Sequence, residues 1–447
     1  MHFFLPNNLK YLVEDEYVYM SQLPIIIVGN GISGTTVART IRKQRDVPLV
    51  MISNESPYFF SRTALMYVFM GHMRWEDLEP YERSFWGENQ IELMQAKVSE
   101  IRPENRQVLL ENGKQLAYEK LVLATGSKPK FYDWKGQQLA GVQGLYSKQD
   151  LDCLEGWAKD TQQAVIVGGG LIGVELAEML CSRGINVHFL VRERSFWGTV
   201  LSEEEGRLLE QHIQAHGVTL HLETELSEII GDTHGRAKAV VTSTGVTIPC
   251  EFVGLTTGVV PNIDYAKSST LEIDRGILVD QYLATNHPDI YAIGDCAQLR
   301  EPPPHRSAIE AMWYTGRMMG ETLAQTLCGQ PTPYRPGNWF NSAKFFDIEY
   351  QTYGTVHTKP SSTEEHFLWI HPKKNIGLRV AYHPKTAAFL GLNAFGMRIR
   401  HQLIDQYLNE KITIQELMQQ LESINFNPEF STSYSNQIFN AWQQHQK

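Results

Sequence analysis

One pattern restricts the fold of this chain more than any other, and it occurs twice. Ile25–Ile26–Ile27–Val28 is a continuous apolar run that enters the turn Gly29, Asn30, Gly31, Ile32, Ser33, Gly34. A helical stretch to about Arg45 then leads to a second run, Leu49–Val50–Met51–Ile52. The other copy is Ala164–Val165–Ile166–Val167, the turn Gly168, Gly169, Gly170, Leu171, Ile172, Gly173, a helix to about Arg183, and the run from Val187 to Val191. Short apolar runs without alternation belong to strands covered on both faces. Strand, glycine turn, helix, strand is a βαβ unit, whose parallel strands require a crossover helix. Two copies predict two doubly wound α/β folds in one chain.

A G-x-G-x-x-G turn lets the backbone come close to a pyrophosphate. The helix that follows offers free N–H donors and the positive end of its dipole. One such motif alone is equally a tight structural turn. Two in the same strand-to-helix context point to two dinucleotide sites, one cofactor held and one exchanged. Glu55 lies about 20 residues past the first turn, where an acid suits the hydroxyls of an adenosine ribose. The second copy has Val191–Arg192–Glu193–Arg194 at the end of its second strand. Arginines there pair with a 2′-phosphate that an acid would repel, which favours NADPH. Glu193 leaves NADH open.

Length and composition bound the rest. A chain of 447 residues predicts roughly two to four domains. The net charge of −10 lacks the basic footprint that nucleic acid binding needs, so no nucleic-acid partner is expected. No apolar run reaches the roughly 18 residues of a membrane span. The first 22 residues have no basic n-region, and Glu14, Asp15 and Glu16 interrupt any apolar stretch. They read as a short arm on a cytoplasmic protein without membrane attachment. Cys153, Cys181, Cys250, Cys296 and Cys328 are scattered, with no C-x-x-C pair, and read as free thiols. The histidines are taken as scattered too, and no metal is expected.

Three further segments extend the pattern: Leu121–Val122–Leu123–Ala124–Thr125–Gly126, then Thr257–Gly258–Val259–Val260–Pro261–Asn262, then Thr285 followed by Ile290–Tyr291–Ala292–Ile293–Gly294–Asp295. The order of these motifs, over about residues 23 to 330, resembles the flavoprotein pyridine nucleotide–disulfide oxidoreductase superfamily. The resemblance implies FAD on the first turn and NADPH or NADH on the second. The implied FAD set is Gly29, Asn30, Gly31, Ile32, Ser33, Gly34, Glu55, Arg62, Val98, Ala124, Thr125, Gly126, Gly294 and Asp295. The implied NAD(P)H set is Gly168, Gly170, Leu171, Ile172, Gly173, Glu175, Arg192, Arg194 and Gly258, with Glu175 as the candidate catalytic residue that places the nicotinamide. No cysteine pair follows Glu55. The segment from Tyr58 through Arg62 to Leu65 is instead similar to ferredoxin reductases, rubredoxin reductases and the flavin module of nitrite reductases. It departs from them by one extra residue between Tyr58 and Arg62, and by Tyr67 where relatives carry a lysine that pairs with the acid at Glu175.

The expected fold is therefore α/β: two Rossmann-like FAD/NAD(P)-binding folds, glutathione-reductase-like, plus a smaller α+β C-terminal domain. The expected boundaries are 23–155 with 272–330 for FAD, 156–271 for NAD(P)H, and 335–447 for an interface domain. A helix is expected from about Ser307 to Leu327, with Met312 and Trp313 as candidate flavin contacts. Short strands are expected from about Trp339 to Leu392, and a helical tail from about Phe395. Phe345, Phe346 and Tyr350 are candidates to cover the flavin. The expected function is hydride transfer from NAD(P)H to flavin and electron transfer to an external acceptor, a small iron–sulfur or rubredoxin-like protein, by a monomer or homodimer. An oxidase or quinone reductase, and a redox sensor with little turnover, are the alternatives.

Overall fold

In the computed structural model, residues 10–13, 16–19, 22–426, 429–430 and 432–447 are described. Lys10–Val13 and Glu16–Tyr19 pair as an antiparallel hairpin. The remainder of the expected arm, up to residue 21, lies outside the described residues. The chain divides into two compact units. One holds the chain up to Lys128, Tyr146–Gln149 and Val259–Pro336; the other holds Pro129–Leu145, Asp150–Gly258 and Gly337–Lys447.

The first unit is built on a five-stranded parallel sheet, in the order Ile290–Ala292, Lys120–Leu123, Ile25–Val28, Leu49–Ser53, Ile91–Gln95. Ile25–Val28 is buried along its whole length, as an unalternating run at a sheet centre must be. Helix α1 (Ile32–Arg42) follows the glycine turn. It stops at Arg42, whose guanidinium donates to the carbonyls of Arg45 (3.3 Å) and Val47 (2.7 Å) and so closes the turn. The helix Trp313–Leu327 lies against α1 through Gly320, where an added Cβ would sit 2.7 Å from the Ser33 carbonyl oxygen. That helix begins at Trp313 and not near Ser307. Met312 is extended, and Glu310 is engaged by Arg306 (2.6 Å) and by the Thr315 hydroxyl (3.1 Å), which fixes a non-helical lead-in.

The second unit repeats the plan. Its parallel sheet runs Val142–Gln143, Phe252–Leu255, Gln163–Val167, Asn186–Leu190, Thr219–His221. Helix α2 (Leu171–Ser182) follows the second glycine turn, and helix α3 (Glu203–Ala215) crosses to the edge strand. The same unit carries an antiparallel sheet, Phe340–Phe345, Ile348–Gly354, Phe389–Phe395, Gly377–Tyr382, Glu365–Ile370. The helical tail expected from about Phe395 follows the strand that ends at that residue, as helices His401–Glu410, Ile414–Gln419 and Ser435–His445.

A buried polar network ties α3 to that antiparallel sheet. Ser202 and Glu205 form a capping box at the start of α3. The same Glu205 carboxylate accepts from Arg379 (2.8 Å) and from Asn393 (2.9 Å), with Arg379 and Glu205 only 2% and 1% exposed. Arg379 also donates to the His357 carbonyl at 2.7 Å and meets His366 Nδ1 at 2.6 Å. Burial would raise the Glu364 carboxyl, but hydrogen bonds with His366 and His357 hold it down at about 2.

Candidate dinucleotide sites

Each glycine of the first turn has its own reason to be glycine. Gly29 has φ +110°, and a Cβ there would lie 2.1 Å from the Ala124 carbonyl oxygen. A Cβ on Gly34 would meet the Gly29 carbonyl oxygen at 2.0 Å. Gly31 differs: a Cβ there would meet no atom within 4 Å, so this glycine keeps open space and not packing. Gly31 is also the N-cap of α1, with no side chain closing the helix start. Free N–H groups facing open space are what a pyrophosphate requires, so the turn fits FAD.

Around this turn the expected residues play distinct parts. Asn30 donates to the Ser56 carbonyl at 2.9 Å, bracing the turn against the loop after the second strand. Ser33 is buried against Gly294 and Gly316, so its side chain serves helix packing. Arg62 donates to both Glu55 oxygens (2.8 and 2.5 Å), and the Lys148 backbone N–H adds a third bond at 3.0 Å. A carboxylate has about four lone-pair sites, so Glu55 keeps capacity for a ribose hydroxyl. Burial works against the Arg62 charge, but Glu55 more than offsets it and raises its pKa. A cleft of about 310 Å³ opens beside Glu55, walled in part by Tyr58, Trp75 and Arg83.

The Ala124–Gly126 segment is held from below. The Thr125 hydroxyl donates to the Asn262 carbonyl (2.7 Å) and contacts the Tyr265 hydroxyl (2.9 Å). Asp295 accepts from the Ser127 hydroxyl at 2.9 Å, and burial raises its carboxyl above the usual range. Cys296 is fully buried and faces the carbonyls of Leu123 and Ile293; burial raises its thiol, so it packs and is not poised to react. Val98 opens a strand with its side chain in the core. Ile32 is half-buried in the first turn of α1.

The second turn repeats the geometry. Gly168 has φ +113°, and Cβ atoms on Gly168 and Gly173 would meet Thr256 and Gly168 carbonyl oxygens at 2.6 and 2.5 Å. Gly170, N-cap of α2 without a side-chain cap, again faces nothing within 4 Å. This turn fits a second nucleotide by the same reasoning. Leu171 and Ile172 are half-buried, and Gly258 has φ +105° with open space beside it. Arg192 and Arg194 are exposed, and Arg192 pairs with Glu193 at 3.0 Å.

Glu175 stands one turn into α2. Burial, and then the nearby Glu178 carboxylate, push its carboxyl up to about 7, with Lys344 pulling the other way. Lys344 on strand Phe340–Phe345 pairs with Glu178 at 2.7 Å. The sequence looked for a cation near Tyr67; the acids of α2 receive one from a strand 166 residues away instead. Phe345 and Tyr350 are buried and meet Trp197 edge-on, while Phe346 stacks on His216. The rings proposed as a flavin cover are thus engaged in packing within the second unit.

One group was passed over in the sequence. His212, in the last turn of α3, and His216, its C-cap residue, form an H-x-x-x-H pair, so the histidines are not all scattered. Among the described residues, these two and Asp347 bring three possible ligand atoms within 4.8 Å of one another.

Comparison with known proteins agrees with this geometry. Residues 23–320 match the family model described as pyridine nucleotide-disulphide oxidoreductase. The chain is 27% identical over 315 residues to the assimilatory nitrate reductase electron transfer subunit of Bacillus subtilis, covering 70% of this chain and 40% of that protein. It thus spans only about two fifths of that relative's length. It is 34% identical over 340 residues to a nitric oxide reductase FlRd-NAD(+) reductase of Salmonella gallinarum, covering 73% of this chain and 88% of that protein. A solved ferredoxin reductase from Rhodopseudomonas palustris shares the fold, with TM-score 0.77 and 24% identity over 83% of this chain and 91% of that one. Among the described residues no helix is long and apolar enough to cross a membrane. With two open glycine turns and a family match across more than half its length, the chain belongs to the pyridine nucleotide-disulphide oxidoreductase family, with FAD and NAD(P)H as its cofactors.

Proposed function

We propose that this chain takes a hydride from NADPH or NADH onto FAD and passes the electrons to an external acceptor, a small iron–sulfur or rubredoxin-like protein. The observation that carries this reading is the pair of glycine turns, one in each unit, that open uncapped helices onto empty space. The names of the relatives support the direction of electron flow: an electron transfer subunit and a FlRd-NAD(+) reductase. When bound, FAD supplies the step from two-electron hydride chemistry to an acceptor that takes electrons one at a time. We assign residues 23–155 with 272–330 to FAD, 156–271 to NAD(P)H, and 335–447 to an interface domain.

The residues have separate tasks. Gly31 and the first N–H groups of α1 hold the FAD pyrophosphate, Glu55 the adenosine ribose, and Asp295 the ribityl side. Arg62 orients Glu55. Gly170 and the start of α2 hold the nicotinamide nucleotide. Glu175 positions the nicotinamide, with its carboxyl poised near neutrality. Proximity and orientation then suffice, and no protein nucleophile is required. Arg192 and Arg194 favour NADPH, and Glu193 is the group through which NADH would be accepted.

The test is direct. The purified protein should show a flavin spectrum that bleaches when NADPH or NADH is added without oxygen, and it should then reduce a ferredoxin or rubredoxin. Fast turnover with oxygen or a quinone alone would replace the protein acceptor by a small one. A reducible flavin idle with every acceptor would favour a sensor. A chain that cannot be loaded with FAD would overturn the proposal. Arg192→Glu should raise KM for NADPH more than for NADH; an equal effect on both would remove the preference.

A further inference from the structure

We propose that His212, His216 and Asp347 form a zinc-binding site that clamps α3 to the turn between strands Phe340–Phe345 and Ile348–Gly354. His212 lies in the last turn of α3 and His216, four residues on, is its C-cap residue, a spacing that brings both rings to the same side. Asp347 reaches them from the facing turn, where Phe346 at φ +54° bends the chain and stacks its ring on His216 (centroids 4.5 Å apart). Asp347 Oδ1 lies 2.5 Å from His212 Nε2 and 3.6 Å from His216 Nε2.

The donor atoms are the right ones and are turned the right way. The His216 Nδ1 is 2.9 Å from the His212 carbonyl oxygen. That contact puts the proton on Nδ1 and leaves the Nε2 lone pair facing Asp347, the tautomer a metal requires. The His212 side chain is only 6% exposed, and its Nε2 faces the Asp347 carboxylate. His212 Nδ1 is 2.9 Å from the Asn375 amide nitrogen. The two ends of an amide are interchangeable in placement, so the Asn375 oxygen can accept Nδ1–H when Nε2 binds metal.

Two imidazoles and one carboxylate suit a borderline divalent ion, zinc first, with water in the fourth position. Zinc bonds of about 2.0–2.2 Å place ligand atoms about 3.4 Å apart in a tetrahedron. The 3.6 Å between His216 and Asp347 already matches this. The closer contact must open by about an ångström, which the 77% exposed Asp347 side chain can do by rotating. None of the three residues belongs to either glycine turn, so occupancy and the flavin reaction have separate readouts.

The flavin-loaded protein, stripped with EDTA and desalted, would be titrated with zinc chloride and followed by calorimetry and thermal unfolding. The expected result is one zinc per chain and a raised melting midpoint. His216→Ala and Asp347→Asn should each weaken binding by at least about tenfold and abolish the rise in midpoint. Both variants should keep the flavin spectrum and its bleaching by NAD(P)H. If His216→Ala fails that check, Asp347→Asn, on an exposed turn, decides alone. No stoichiometric binding, or unchanged affinity in the properly folded variants, would overturn the proposal and leave a histidine–aspartate contact without a metal.

Discussion

Glu175 carries a proton near neutrality because burial and a second carboxylate both oppose its charge. Its pKa is raised in the folded chain, about 7 against an ordinary 4.5, so the stability linked to its proton is full below the ordinary value and lost as pH rises through 7. The loss is at most about 3 kcal/mol. Glu175→Gln should therefore flatten the fall in melting midpoint between about pH 5 and 8, measured by scanning calorimetry. The glycines give a second test. Gly31→Val should fold, as its far-UV circular dichroism would show, yet retain about tenfold less flavin after purification. Gly170→Val should keep flavin and raise KM for the nicotinamide nucleotide by about as much. These glycines were legible in the sequence because the G-x-G-x-x-G spacing lies within one strand-to-helix turn. The Lys344–Glu178 pair was not, because nothing local joins partners 166 residues apart. The His212–His216 spacing was legible and was missed by inspection, not by physics.

Helices and strands were readable where covered runs met strong punctuation. The runs at Ile25, Leu49 and Ala164 became central strands because no alternation offered a solvent face. The helix at Trp313 starts late because Arg306 and Thr315 engage Glu310, a tertiary choice that periodicity does not record. The change from strands to helices near Phe395 was readable, and the helices His401–Glu410, Ile414–Gln419 and Ser435–His445 follow it. The buried Glu205–Arg379 pair gives this scale its prediction. Arg379→Met leaves the Glu205 charge buried without a cation, and should cost about 3–5 kcal/mol in urea unfolding. Glu205→Met with Arg379→Met should recover most of that, less about 1 kcal/mol for the lost helix cap.

At the scale of the whole molecule, each unit holds one open glycine turn, so the two cofactors should stabilise different parts of the chain. Removing FAD should lower the unfolding midpoint of the unit containing Gly31 and Asp295, and restoring FAD should return it, since a ligand bound only by the native form adds its binding free energy to stability. Hydrogen exchange with and without FAD would show which amides respond. Protection lost mainly around Gly170 would contradict the assignment. The two doubly wound folds were visible in the repeated βαβ pattern. The joining of the antiparallel sheet to the second unit was not, because it depends on Glu205, Arg379 and Asn393 meeting across the sequence.

Glu205 serves three neighbours at once: the start of its own helix, the arginine of a strand 174 residues later and an asparagine of the next strand. This makes the region after Pro336 a poor candidate for trading between proteins. A graft that replaced it with a foreign partner would inherit an interior anion, and no ordinary apolar surface can neutralise one. Any lineage that exchanged this region would have had to change position 205 in the same step, or accept a chain that folds only while its original neighbour is attached.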